Sequence, residues 1–95
     1  MIRNVVVGRL NPDADPACAR QGLDAIAALP APGRVACTVG TDLGLRGGNW
    51  DIAIVADFED EASYRAYDQD EEHNRIRRDM FAPICSELVR IQFEV

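Results

Sequence analysis

Ninety-five residues with a formal net charge of -6 describe one small acidic domain, 1–95, of a size that folds around a single core with little stability to spare. That balance excludes a phosphate-backbone binder, which needs a basic face, because all ten basic residues are arginines scattered among sixteen acids, so no nucleic-acid partner is expected. Hydrophobic residues at 47% and charged residues at 27% are ordinary for a globular protein, and with no membrane-spanning run and no signal-peptide pattern a cytoplasmic protein is expected.

IRNVVVGRL (Ile2 to Leu10) reads as a strand bounded by the turn-like NPDADP, with Ile2, Asn4 and Val6 on one face and Val5 and Val7 on the other. Asp15 followed by Pro16 starts a helix as an N-cap acid with proline in the first turn. Its buried stripe is expected from Ala19, Leu23, Ile26 and Ala27, and PAPG (Pro30 to Gly33) ends it. A second strand spans Arg34 to Gly40, with Val35, Cys37 and Val39 alternating. The loop TDLGLRGG then leads into a third, Asn49 to Phe58, whose faces are Trp50, Ile52, Ile54, Ala56, Phe58 and Asp51, Ala53, Val55, Asp57. Because these glycines precede a strand, they do not form the phosphate cradle that must open a helix.

Asp60 caps a second helical region beginning DEASYRAY, interrupted near Asp68 to Asp70, resuming through EEHNRIRRDMFAPI and declining at Pro83. Within it, Arg75, Arg77 and Arg78 lie among Asp70, Glu71, Glu72 and Asp79 and read as ion pairs along a solvated helix surface. ELVRIQFEV closes the chain as a strand alternating Val89, Ile91, Phe93, Val95 against Leu88, Arg90, Gln92, Glu94. Cys18, Cys37 and Cys85 are odd in number and widely spaced, and one histidine cannot complete a usual zinc set with them. They read as buried reduced thiols, and no metal is expected.

The order β-α-β-β-α-β predicts an α+β fold of ferredoxin-like plan, an antiparallel four-stranded sheet with the helices on one side. The first and third strands nevertheless carry aliphatic groups on both faces. Roughly four to six such side chains would face away from the helices, and their burial is worth on the order of 6–15 kcal/mol as an upper estimate. A small domain has only about 5–15 kcal/mol in total, so a wet second face is untenable and a homodimer packed sheet against sheet is expected.

The block VGTDLGLRGGNWDIAIVADFEDEASYRAY, with HNRI after it and RIQFEV at the end, resembles the stress-responsive A/B barrel (Dabb) family. Similar features are the opening strand, the glycine loop into an aromatic-Asp strand, and a histidine six residues after the second tyrosine. The resemblance implies a dimeric α/β barrel built from ferredoxin-like halves. Most members have no established activity. In a polyketide cyclase of similar sequence, aldol ring closure uses a histidine on the helix, another on the first strand and a nearby tyrosine. His73 falls at the helical histidine and Tyr67 at the tyrosine, whereas Asn4 stands at the strand histidine and the family's HPxH reads DEEH (Asp70 to His73). Asn4 donates and accepts hydrogen bonds but cannot exchange a proton near neutral pH, so the resemblance implies at most a single-base version.

The candidate site is therefore His73 and Tyr67 as catalytic groups, with Asn4, Trp50 and Tyr64 as ligand-binding residues. Each has a plainer role available. Tyr64 and Tyr67 share a helix face and can pack it onto the sheet, Trp50 can fill core or rim, and Asn4 needs a partner, either a backbone group or a ligand oxygen. His73 stays partly protonated if it faces Asp70 or Glu72, and neutral if it turns beneath the sheet. Three functions follow as expectations. The first is a dimeric, stress-associated binding protein with a small-molecule pocket between sheet and helices, for a small apolar carbonyl ligand. The second is a cofactor-independent cyclase or lyase with His73 as base. The third is a cofactor-free or haem-degrading monooxygenase using Asn4, Trp50 and His73. No cofactor and no membrane partner are expected.

Overall fold

The computed structural model describes all 95 residues. Its elements are β1 (Ile2–Leu10), α1 (Pro16–Ala28), β2 (Arg34–Thr41), β3 (Ile52–Phe58), α2 (Glu61–Gln69), α3 (Glu71–Ile76) and β4 (Cys85–Glu94), with a π-helical turn, Arg77–Phe81, between α3 and β4. The strands form one antiparallel sheet in the order β2-β3-β1-β4, and the helices cover one face, giving the ferredoxin-like α+β fold expected. No helix is long and apolar enough to cross a membrane.

Helix ends follow from local chemistry. The Asp15 carboxylate accepts the Ala17 N–H at 2.9 Å and Pro16 fills the first turn, so α1 begins where the cap dictates. At its other end the Arg34 guanidinium donates to the carbonyls of Ile26, Ala27 and Leu29 at 3.0, 3.1 and 2.9 Å, satisfying groups that a helix terminus leaves orphaned. Gly33, at φ 85°, carries the chain from α1 into β2, and a Cβ there would run into Ser63. Gly33→Ala is therefore expected to cost at least about 1–2 kcal/mol for the left-handed backbone alone. In a domain this small that lowers the melting temperature by about 5 °C or more, and an unchanged melt would remove the argument.

Three expectations are corrected. The buried stripe of α1 is Ala19, Gly22, Leu23 and Ile26, with Ala27 exposed, because the Phe81 ring packs against Gly22 and rotates the buried face toward it. Strand β3 begins at Ile52 rather than Asn49. Asn49 is instead held at 3.0 Å by the Asp42 carboxylate, and Asp51 uses its carboxylate on the Leu10 N–H at 2.8 Å, so the chain enters β3 from a side-chain-organised loop. Cys18 is exposed on the outer face of α1, while Cys37 and Cys85 are half-buried with thiols pushed up by burial.

The register fixes what each sheet face presents. Asn4 pairs with Ala56 on one side and Gln92 on the other, so Ile2, Asn4, Val6, Ile52, Ile54, Ala56, Phe58, Leu88, Arg90 and Gln92 share the helix-covered face. The opposite face carries Val5 and Val7 opposite Val55 and Ala53 on β3 and opposite Ile91 and Val89 on β4. Val89, Ile91 and Phe93 are 50%, 60% and 44% exposed there. The Arg3–Asp57 pair bounds this apolar strip at one end and the Arg9–Glu87 pair at the other. Arg3 grips Asp57 with two hydrogen bonds, of 2.8 and 2.9 Å, and holds its carboxyl below the usual range.

Candidate functional site

Between β1, β4 and the α2–α3 region lies a cavity of about 40 Å³ lined by Asn4, Val6, Tyr64, Tyr67, His73 and Leu88, with Asp68, Arg77 and Arg90 also in its wall. The capping of α3 determines how the only histidine enters it. Asp70 ends α2 and caps α3, accepting the backbone N–H of His73 at 3.0 Å. The Asp70 carboxylate is thus engaged by the backbone and Glu72 by Arg75, and the imidazole packs on Tyr67 with ring centroids 4.1 Å apart and planes 35° apart.

Tyr67 is itself 7% exposed and packs on Phe58 at 5.1 Å, while Tyr64 meets Phe58 edge-on at 5.6 Å. This aromatic cluster ties the site to the centre of the core, since Phe58 is fully buried. The packing expected of the two tyrosines and their place at the cavity coexist.

Of the two orientations open to His73, the inward one is found. Its Nδ1 is buried without a protein partner. Burial holds the imidazole below its usual 6.5, and the nearby Arg77 guanidinium acts in the same direction, while Asp68 and Asp70 oppose them. The group is therefore neutral at physiological pH, an acceptor at one nitrogen and a donor at the other. Burial pushes the Tyr67 hydroxyl up to about 12, so it remains a neutral donor. Asn4 is 4% exposed, and its partner is a side chain rather than the backbone: Gln92 donates to Oδ1 at 2.8 Å. That bond leaves the Asn4 Nδ2 donor without a protein acceptor at the cavity wall.

Trp50 is not brought to this cavity. It lies in the loop before β3, half-buried, with the Arg9 guanidinium 4.6 Å from its ring, beside a separate hollow that Val7 and Ala53 line. The set Asn4, Trp50 and His73 is therefore not assembled. No cluster of three His, Cys, Asp or Glu side chains is placed to hold a metal ion. Sequence reasoning missed Arg77 and Arg90. Arg75 and Arg78 make the expected surface pairs with Glu72 and Asp79, but Arg77 makes none. The alternation of β4 with Leu88 and Gln92 was a usable signal for Arg90. Nothing in the sequence marked the π-helical turn that brings Arg77 and Phe81 to one wall.

The family model for the stress-responsive A/B barrel domain matches residues 2–95. Among solved structures, a dimeric ferredoxin-like protein of unknown function from Thermobifida fusca is 34% identical, with a TM-score of 0.89 over 99% of this chain and 90% of that one. A second dimeric ferredoxin-like protein of unknown function, from Bacteroides fragilis, is 19% identical, with a TM-score of 0.79 over 99% and 95%. A hydroxynitrile lyase from Passiflora edulis is 20% identical, with a TM-score of 0.84 over 99% and 92%. The last two likenesses show the fold alone. No curated protein matches the chain.

Proposed function

This chain belongs to the stress-responsive A/B barrel domain family, and from that premise we infer that it is a homodimer whose subunits each bind a small carbonyl compound between sheet and helices. The dimer is supported by the exposed apolar strip of β1, β3 and β4 and by the dimeric description of the Thermobifida fusca protein. The binding reading rests on one observation, the inward His73 with its unpartnered Nδ1 in a cavity that also holds the free amide of Asn4. A buried polar atom without a partner is costly, and a ligand group that bonds the His73 Nδ1 recovers that cost while a ligand oxygen can accept from the Asn4 amide. The cavity volume allows roughly three waters, so the occupant is small unless the walls move.

The neutral imidazole favours a second reading, proton abstraction next to a carbonyl. His73 would take the proton from the α-carbon, the C–H electron pair would pass into the carbonyl as an enolate, and Asn4 Nδ2 with the Tyr67 hydroxyl would donate to the enolate oxygen. That is the first step of a lyase or aldol-type cyclase and requires no cofactor.

Two measurements separate these readings. With 2,4-pentanedione as probe, amide resonances around Asn4, Tyr67 and His73 are expected to shift on binding, and absence of any shift there would end the pocket reading. With acetone in D₂O, the enzymatic reading predicts deuterium incorporation faster than buffer, falling by about 10²–10⁴-fold in His73→Gln. A rate equal to buffer in the wild-type protein leaves binding without turnover.

A further inference from the structure

Eight of the ten arginines are paired with carboxylates, spent on backbone carbonyls or placed in an exposed loop, and the other two stand apart at the cavity. Arg3, Arg9, Arg20, Arg65, Arg75 and Arg78 pair with carboxylates, and Arg34 donates to the carbonyls at the end of α1. Arg46 lies in the exposed loop between β2 and β3. Arg77 and Arg90 pair with no carboxylate, yet both line the cavity that holds His73. They come from separate elements, the π-helical turn and β4, so their convergence is a property of the fold and not of sequence proximity.

In a chain of net charge -6, two unpaired guanidinium groups beside one pocket are conspicuous. Their charges reach the site: Arg77 biases His73 toward its neutral form, and Arg90 partly offsets the effect of burial on Tyr64. One carboxylate, Asp68, lies in the same wall, and it stands within ion-pair distance of neither arginine. Two cations against one anion leave the wall net positive, and the other polar lining residues, among them Asn4 and Tyr67, are neutral. Guanidinium groups recognise carboxylates through paired N–H donors, a geometry the neutral amide and phenol cannot replace.

We propose that the ligand of this cavity is an anion, a short-chain keto acid whose carboxylate lies between Arg77 and Arg90 and whose carbonyl faces His73 and Asn4. This deepens the carbonyl-binding reading above and rests on it. It replaces the apolar ligand expected from sequence with a charged one, because only the structure places Arg77 and Arg90 in the wall. The cavity's small volume favours the same class, since a long chain would have no room.

Acetoacetate and 2,4-pentanedione differ only by a carboxylate oxygen in place of a methyl group, so their comparison isolates the charge. Calorimetry at low salt, with amide spectra recorded alongside, is expected to show acetoacetate binding at least about tenfold more tightly than the diketone. The exposed double variant Arg77→Gln, Arg90→Gln is expected to lose that preference while keeping its fold, checked by its amide spectrum. A diketone that binds as tightly as the acid and still shifts His73 overturns the charge assignment and leaves the pocket standing. If neither probe shifts Asn4, Tyr67 or His73, the pocket itself falls and this inference falls with it.

Discussion

Ile91→Asp is expected to convert the protein from dimer to monomer at micromolar concentration. Ile91 stands opposite Val5 in the apolar strip and is 60% exposed in a single subunit. Packing a second sheet over it would place a carboxylate in a dry interface with no cation within the strip, since Arg3 and Arg9 at the ends are already paired. Effective penalties for an unpaired charge in such a place are several kcal/mol per ion. A two-fold interface contains the substitution twice, so a thousandfold weakening, about 4 kcal/mol, is a conservative expectation. Sedimentation velocity checks it. A variant that keeps the wild-type dimer would show that another surface makes the assembly.

Phe58→Ala is the second large effect, because it joins stability to the site. Phe58 is fully buried at the end of β3 and contacts both Tyr64 and Tyr67 through its ring. Truncating such a residue costs about 3–5 kcal/mol, a large share of what a domain of this size has. Denaturant unfolding should show that loss as a lower midpoint at unchanged slope. Tyr67 loses its Phe58 contact, so the imidazole packed on it is expected to become less buried and its pKa to move back toward 6.5. A destabilised variant with an unmoved histidine would mean that the aromatic cluster does not position the site.

The strand and helix plan was legible because its signals are local and repeated. Val-rich alternation, Asp15 before Pro16, Asp60 ahead of the second helical region and the break near Asp70 each state an element or a boundary directly. The predicted faces of β1 and β3 also hold, which is why an apolar strip on the far face could be expected before it was seen, and β4 supplies its most exposed side chains. What escaped was set by tertiary packing. Ala27 yielded its place in the stripe to Gly22 because a ring from the distant π-helical turn rests there. Trp50 continued the alternation of β3 on paper, but Asp42 and Asp51 spend their carboxylates holding the loop and the ladder stops short of it. The direction of His73 was undecidable from the acids beside it, since Asp70 could reach either the imidazole or the backbone, and the cap won.

The central claim is that the single histidine lies inward as a neutral base rather than on a wet acidic helix. Because the chain has one histidine, its imidazole proton signal needs no assignment in a tag-free sample. A proton NMR titration of the ligand-free protein should give one midpoint below 6.5, since burial and Arg77 both favour the neutral form. A midpoint at or above 6.5, the value for a solvated imidazole beside carboxylates, would contradict the account.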